Sequence, residues 1–228
     1  MQSSPHQGQP IESAGLPLLE ARCAMVLVHG RGASAEDILT LVDQLDQGGF
    51  AYLAPRAAGS SWYPQSFRAP LEQNEPWLSS ALAAVGDVVE TIETAGIPRD
   101  RTILLGFSQG ACLTLEFAAR NARLRERAPT GEAQEVYGGV AGLTGALIGP
   151  DGMERSYPGM LDGTVVFLGC GDPDPHVPVA RVDETEAVLT RMGATVTKRI
   201  YPGMAHTINK DEIDFVRRMM AGLLEFSL

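Results

Sequence analysis

Short apolar runs of strand length alternate along this chain with longer segments whose apolar residues recur every three or four positions, and no other feature restricts the fold as much. Runs at 23–28, 51–54, 102–107, 138–143, 165–169 and 195–201 read as strands. Between the first two, Ser34 and Asp37 stand at capping-box spacing, Ile38, Leu41, Val42 and Leu45 form one stripe, and Gly48-Gly49 ends the helix. A longer helix is predicted over 74–95, where Leu78, Ala81, Leu82, Val85, Val89 and Ile92 share a face before Gly96 and Pro98. Val182, Leu189 and Met192 stripe another, and Asn209 caps a C-terminal helix that turns Ile213, Val216, Met220 and Leu223 inward.

Parallel strands need crossovers, and each helix must bury its stripe on a sheet. The pattern therefore specifies an α/β fold: a mainly parallel central sheet with helices on both faces, binding ligands at the carboxyl ends of the strands. At 228 residues, one domain with a large core is expected, and 44% hydrophobic with 20% charged residues excludes a disordered or coiled-coil chain. Eighteen basic against 28 acidic residues leave a net charge of −10, which argues against nucleic acid and anionic membrane surfaces as partners. Residues 1–21 hold no Lys or Arg and no sustained apolar stretch, unlike a secretory leader. Cys23, Cys112 and Cys170 lie far apart, without metal-site or disulfide spacing, so a cytoplasmic location is expected. Residues 1–23 read as an N-terminal arm with His6 in a frayed segment, and residues 24–228 as the single domain. The polar stretch 120–135, with Arg120, Arg123, Arg125 and Arg127 before Pro129 and Gly131, reads as a solvated helix end and a variable surface loop.

Gly106-Phe107-Ser108-Gln109-Gly110 fits G-x-S-x-G, and its setting gives the short motif weight. It follows the buried run 101–105 and precedes a helix-compatible segment with Ala111, Leu113, Leu115, Phe117 and Ala118, as a nucleophile elbow requires. A serine hydroxyl needs a base, which a carboxylate orients. Of four histidines, His206 fits the chain order Ser, acid, His and lies in a loop between a strand and the last helix. The acid belongs after a late strand, where Asp172 and Asp174 both stand in a proline-stiffened loop; the residues alone barely separate them. Oxyanion donors are expected from the backbone N–H of Gln109, directly after the serine, and of Arg31 in the loop His29-Gly30-Arg31-Gly32. His29 is expected to hold that loop. Trp62, Tyr63 and Phe67, with Met204 near the base, are candidate substrate contacts, although the aromatics Trp62 and Trp77 are as well suited to covering the core. Arg31, Arg56 and Arg68 are candidates for recognising an acidic substrate group.

Four segments carry a resemblance to a known family: Val28-His29-Gly30-Arg31-Gly32, Gly106-Phe107-Ser108-Gln109-Gly110-Ala111, Asp174-Pro175-His176-Val177-Pro178 and Gly203-Met204-Ala205-His206-Thr207. From about Ala24 onward the chain resembles the phospholipase/carboxylesterase family of α/β-hydrolases, which includes bacterial carboxylesterases and acyl-protein thioesterases. The resemblance implies the α/β-hydrolase fold, a triad of Ser108, Asp174 and His206, an oxyanion pair of Arg31 and Gln109, and no metal or organic cofactor. It also implies a small-molecule ester of short or medium chain as substrate. The alternatives are a thioester or a non-catalytic binding role, and assembly as a homodimer is left open. The stretch 120–135 looks longer than the family's usual loop. The region from Trp62 to Trp77 looks closer to bacterial small-molecule hydrolases than to depalmitoylating enzymes. Serine at position 108 also separates the chain from the dienelactone hydrolases, which place cysteine there.

Overall fold

The computed structural model describes residues 4–45, 47–122 and 136–225. Strands β1 (Ile11–Gly15), β2 (Cys23–Val28), β3 (Phe50–Pro55), β4 (Thr102–Phe107), β5 (Gly139–Leu143), β6 (Val165–Gly171) and β7 (Thr195–Tyr201) form one sheet in the order β1-β3-β2-β4-β5-β6-β7. All neighbours are parallel except β1, which pairs antiparallel with β3. The α/β-hydrolase expectation is met.

The strands alternate their side chains between two apolar layers, as pleating demands. Ala24, Val26 and Val28 of β2 face a core built with helices α3 (Trp77–Thr94), α4 (Gln109–Arg120) and α5 (Val179–Arg191), through Leu78, Val85, Leu113 and Val182. Cys23, Met25 and Leu27 face the opposite layer, where Ile38, Leu45, Ile213 and Val216 come from α1 (Ala35–Leu39), α2 (Val42–Leu45) and α6 (Lys210–Glu225). No helix among the described residues is long and apolar enough to cross a membrane.

Chain direction across the sheet reverses between β2 and β4. From β2 the chain steps out to β3, then returns to lay β4 on the other side of β2. Their parallel register pairs Val28 with Gly106, so the loops leaving both strands open side by side into the crevice where an α/β sheet binds ligands.

Several elements depart from the sequence reading. One helix expected from Ser34 to Gly48 is two: the capping box of Ser34 and Asp37 is present, but the hydroxyl and N–H of Thr40 both donate to the Asp37 carbonyl and interrupt the helix. Helix α3 starts at Trp77 rather than 74, because Asn74, fully buried, uses its side chain elsewhere: Oδ1 accepts from Gln65 N–H at 2.8 Å and Nδ2 donates to the Ser66 carbonyl at 3.1 Å. Strand β1 was not expected; Ile11, Ser13 and Gly15 face solvent, so it shows no apolar run. The expectation of a frayed segment at His6 is corrected. His6 is 2% exposed, its ring lies 5.4 Å from that of Trp62 and 5.3 Å from that of Trp77, and its N–H donates to Ser80 Oγ. Arg120 ends α4 and pairs with Glu116, whereas residues 123–135 of the loop expected there lie outside the described residues.

Candidate active site

Strand β4 runs into Ser108, which holds φ 56° and ψ −120°, a conformation that non-glycine residues adopt at a cost. Gly106 and Gly110 make this turn possible by close approach: a Cβ on Gly106 would overlap the Gly110 carbonyl, and one on Gly110 would overlap that of Val28. Helix α4 begins at Gln109, so the first N–H groups after Ser108 have no acceptor within the helix. The Ser108 N–H donates to the Leu143 carbonyl at 3.0 Å, which fixes the turn to the end of β5.

His206 reaches this serine from the loop between β7 and α6. Its Nε2 lies 2.8 Å from Ser108 Oγ and its Nδ1 2.7 Å from Asp174 Oδ2. A carboxylate only accepts, so Nδ1–H donates to Asp174 and Nε2 is left to accept the serine hydroxyl proton. Asp174 Oδ1 accepts the N–H groups of His176 and Val177, each at 2.8 Å. Burial opposes the charge on Asp174, but the hydrogen bonds from Val177, His206 and His176 outweigh it and hold the carboxyl below its usual range. Between the two acids that sequence leaves open, Asp174 is the one in contact with His206. Asp172 accepts from the Gly203 N–H at 2.8 Å and so ties the histidine loop to the end of β6. Phe107 and His176 flank the imidazole, with ring centroids at 5.2 and 4.7 Å.

The loop expected to bind the oxyanion is braced from beneath. His29 is fully buried; Nδ1–H donates to the Gly30 carbonyl at 2.8 Å, and Nε2 accepts from Ala57 N–H at 3.1 Å. Burial lowers its pKa, only partly offset by the bond to Gly30. The Gly30 Cα faces Ser108, since a Cβ there would stand 3.3 Å from the serine Cβ, and Arg31 follows directly. The Gln109 side chain clamps the next loop: Oε1 accepts from Trp62 N–H at 2.9 Å and Nε2 donates to the Tyr63 carbonyl at 2.8 Å. Sequence reasoning assigned Gln109 only its backbone, and missed both this clamp and the support from Asn74 and His6. Neither shows in local spacing.

A cavity of about 450 Å³ opens beside Ser108 and His206. Tyr63, Phe67 and Val177 supply apolar wall and Arg31 and His176 polar wall, while Cys112 lies deep beside Tyr63. Two expected substrate contacts stand outside this wall. Trp62 is fully buried and donates its indole N–H to the His29 carbonyl, and Met204 turns its sulfur to Asn209 Nδ2 at 2.9 Å. Two of the three arginines proposed for acid recognition are already paired, Arg56 with Glu12 and Glu36, and Arg68 with Asp151. Among the described residues, no group of three His, Cys, Asp or Glu side chains is arranged to hold a metal ion.

Such an array, a half-buried serine hydroxyl lining the cavity and bonded to an imidazole that a buried carboxylate orients, can deliver an alkoxide-like nucleophile to a carbonyl in that cavity. Comparison with known proteins identifies the fold and the family. The chain is 45% identical to a phospholipase/carboxylesterase from Dyadobacter fermentans, superposing with a TM-score of 0.84 over 94% of this chain and 97% of that one. A carboxylesterase from Bacillus cereus shares the fold, with a TM-score of 0.70 over 95% of each chain at 16% identity. Among curated proteins, acyl-protein thioesterase 1 from Neurospora crassa is 27% identical over 150 residues, 63% of this chain and 55% of that protein. The chain thus spans about half the length of the curated relatives it matches. Residues 16–223 match the sequence profile of the phospholipase/carboxylesterase family, and the chain belongs to that family of α/β-hydrolases.

Proposed function

We propose that this protein is a serine hydrolase that cleaves short or medium carboxylic esters through an acyl-enzyme, with Ser108 as nucleophile, His206 as base and Asp174 as orienting acid. The observation that carries the reading is the unbroken chain of hydrogen bonds from Ser108 Oγ through His206 to Asp174, at 2.8 and 2.7 Å. His206 Nε2 takes the serine proton as Oγ attacks the ester carbonyl. The resulting oxyanion is received by the N–H groups of Gln109 and Arg31, and one such donor contributes about 10²- to 10³-fold. Imidazolium then protonates the departing alcohol and leaves an ester between the acyl group and Ser108. Water, deprotonated by His206, hydrolyses that ester and restores the serine, so one water is consumed for each acid and alcohol released.

Phe67, Tyr63 and Val177 give the acyl or alcohol group an apolar wall, and a cavity of about 450 Å³ suits a small substrate. Ser108→Ala should lower turnover of a p-nitrophenyl ester by about 10³- to 10⁶-fold while folding is retained, and full activity in that variant would overturn the reading. A thioesterase activity rests on the likeness to acyl-protein thioesterase 1 and uses the same oxyanion geometry. Parallel ester and thioester panels separate the two. Absence of Ser108 labelling by a fluorophosphonate would instead favour a binding protein.

A further inference from the structure

We infer that the substrate of this site carries a carboxylate of its own, held by Arg31 at the rim of the cavity, so that the enzyme prefers half-esters of small dicarboxylic acids to neutral esters of the same size. This deepens the hydrolase reading above and rests on it.

The charge on the cavity wall is the starting point. The chain has ten more acidic than basic residues, yet among the described residues no Asp or Glu lines the cavity. Its ionisable wall is Arg31, His176 and His206, with Tyr63 and Cys112 deeper in. Burial pushes the Tyr63 phenol well above its usual range and the Cys112 thiol up to about 11, so both stay neutral. Asp174 sits behind His206 with its side chain fully buried and three donors on it.

Arg31 differs from the arginines around it. Arg56 and Arg68 are neutralised by carboxylates, and Arg181, stacked on Phe67 at 5.1 Å, pairs with Asp151 and Glu184. The Arg31 guanidinium instead donates to three backbone carbonyls, those of Tyr63 at 2.8 Å, Pro64 at 3.0 Å and Gln65 at 2.7 Å. Among the described residues no carboxylate lies within ion-pair distance of it. Carbonyls hold the fork in place without cancelling its charge, and the planar group has more N–H donors than these three acceptors use. A rigid, uncompensated cation, close to the nucleophile and solvent-accessible, is arranged to take an incoming carboxylate. Gln109, Asn74 and Arg31 all grip the same loop, so the cation and the apolar wall hold a constant position relative to Ser108.

The test compares p-nitrophenyl hemisuccinate with p-nitrophenyl valerate, which share a leaving group and differ in the terminal charge of the acyl chain. At low ionic strength the unmodified chain should show kcat/KM about two- to fivefold higher for the hemisuccinate, the range of one partly exposed charge pair. Arg31→Lys should keep a reduced preference, and Arg31→Gln should bring the ratio to one or below. Because the ratio is taken within one enzyme, a general loss of activity from a loosened loop cancels. If Arg31→Gln is inactive towards both, the salt response of the unmodified chain decides: 0.5 M NaCl should erase most of the preference. An equal ratio in the unmodified chain and Arg31→Gln, a preference for valerate, or a salt-independent ratio overturns the inference. Ser108 labelling and valerate turnover would then still stand, whereas their loss in the unmodified chain would overturn the hydrolase reading itself.

Discussion

The indole N–H of Trp62 donates to the carbonyl oxygen of His29 at 2.8 Å, across 33 positions of sequence, and so joins the loop over the cavity to the loop expected to bind the oxyanion. His29 answers through its ring, whose Nε2 accepts from Ala57 N–H in the same covering loop. The two loops are therefore one rigid unit, closed on its other side by Gln109 holding Trp62 N–H and the Tyr63 carbonyl. Trp62→Phe keeps most of the packing and deletes the donor. It should cost about 1–3 kcal/mol in urea unfolding, because the His29 carbonyl loses a buried partner. It should also lower kcat by about 10- to 100-fold with little change in KM, since a misplaced donor is felt in the transition state. An unchanged kcat would show that the indole brace does not set the loop.

Asp172 and Asp174 stand two residues apart and have different work. Asp174→Asn should lower kcat by about 10⁴-fold, because the amide oxygen stays on the His176 and Val177 N–H groups, the NH2 then faces Nδ1 as a donor, and the imidazole is held in the other tautomer. Asp172→Ala removes one exposed bond to the Gly203 N–H, and kcat should fall less than tenfold. Steady-state kinetics on one ester suffices, and similar losses in both variants would contradict the assignment.

The pH dependence of stability has an acid-side component from two histidines. His6 Nε2–H donates to the Trp62 carbonyl while Nδ1 accepts from Ala58 N–H, and His29 is likewise occupied on both nitrogens, so a second proton on either ring would face an N–H group. Burial lowers both pKa values from the ordinary 6.5. The unfolded chain thus takes up protons near pH 6.5 that the folded chain still refuses, and stability falls as pH drops from 6.5 towards the lowered native values. In His6→Gln the loss of urea stability between pH 7.5 and 5.5 should shrink by the share of His6. An identical loss would show that His6 adds nothing to it.

What sequence revealed and what it hid divide by range. Ser108 and Gln109 were legible because a buried strand, two glycines and a helix lie within a dozen residues, and His206 because chain order selects among few histidines. Asp174 needed the family likeness; Asp172 is as plausible until the Gly203 contact is seen. The supports were hidden. Asn74 looks like a helix start, His6 like a loose end and Arg31 like an oxyanion donor and substrate contact, with no sign that its side chain grips a neighbouring loop. Their roles depend on partners at 63–66, 58–62 and 80, which local spacing cannot place. Strand β1 was missed for a related reason, since an edge strand with half of its side chains in solvent leaves no apolar signature.

Glu212 opposes the histidines in the pH balance. It is wholly buried at the first turn of α6, where Oε2 accepts from Asn209 N–H at 2.8 Å and its own N–H donates to Asn209 Oδ1 at 3.0 Å, a capping box under the His206 loop. Its Oε1 has no hydrogen-bond partner among the described residues and abuts Gly169, where a Cβ would overlap it. Burial raises this carboxyl from 4.5 to about 7, against the bond from Asn209 and with help from Asp211. Between pH 4.5 and 7 the folded chain therefore holds a proton that the unfolded chain has released, so this group's contribution is full below 4.5 and is lost as pH rises through 7. The amount at stake is on the order of 3 kcal/mol. Glu212→Gln stays neutral and can still offer an oxygen to Asn209, so it should remove this component. Relative to the unmodified chain, it should gain stability on going from pH 5 to pH 8 in urea titrations. A parallel pH dependence in the two proteins would mean that Glu212 ionises normally in the fold.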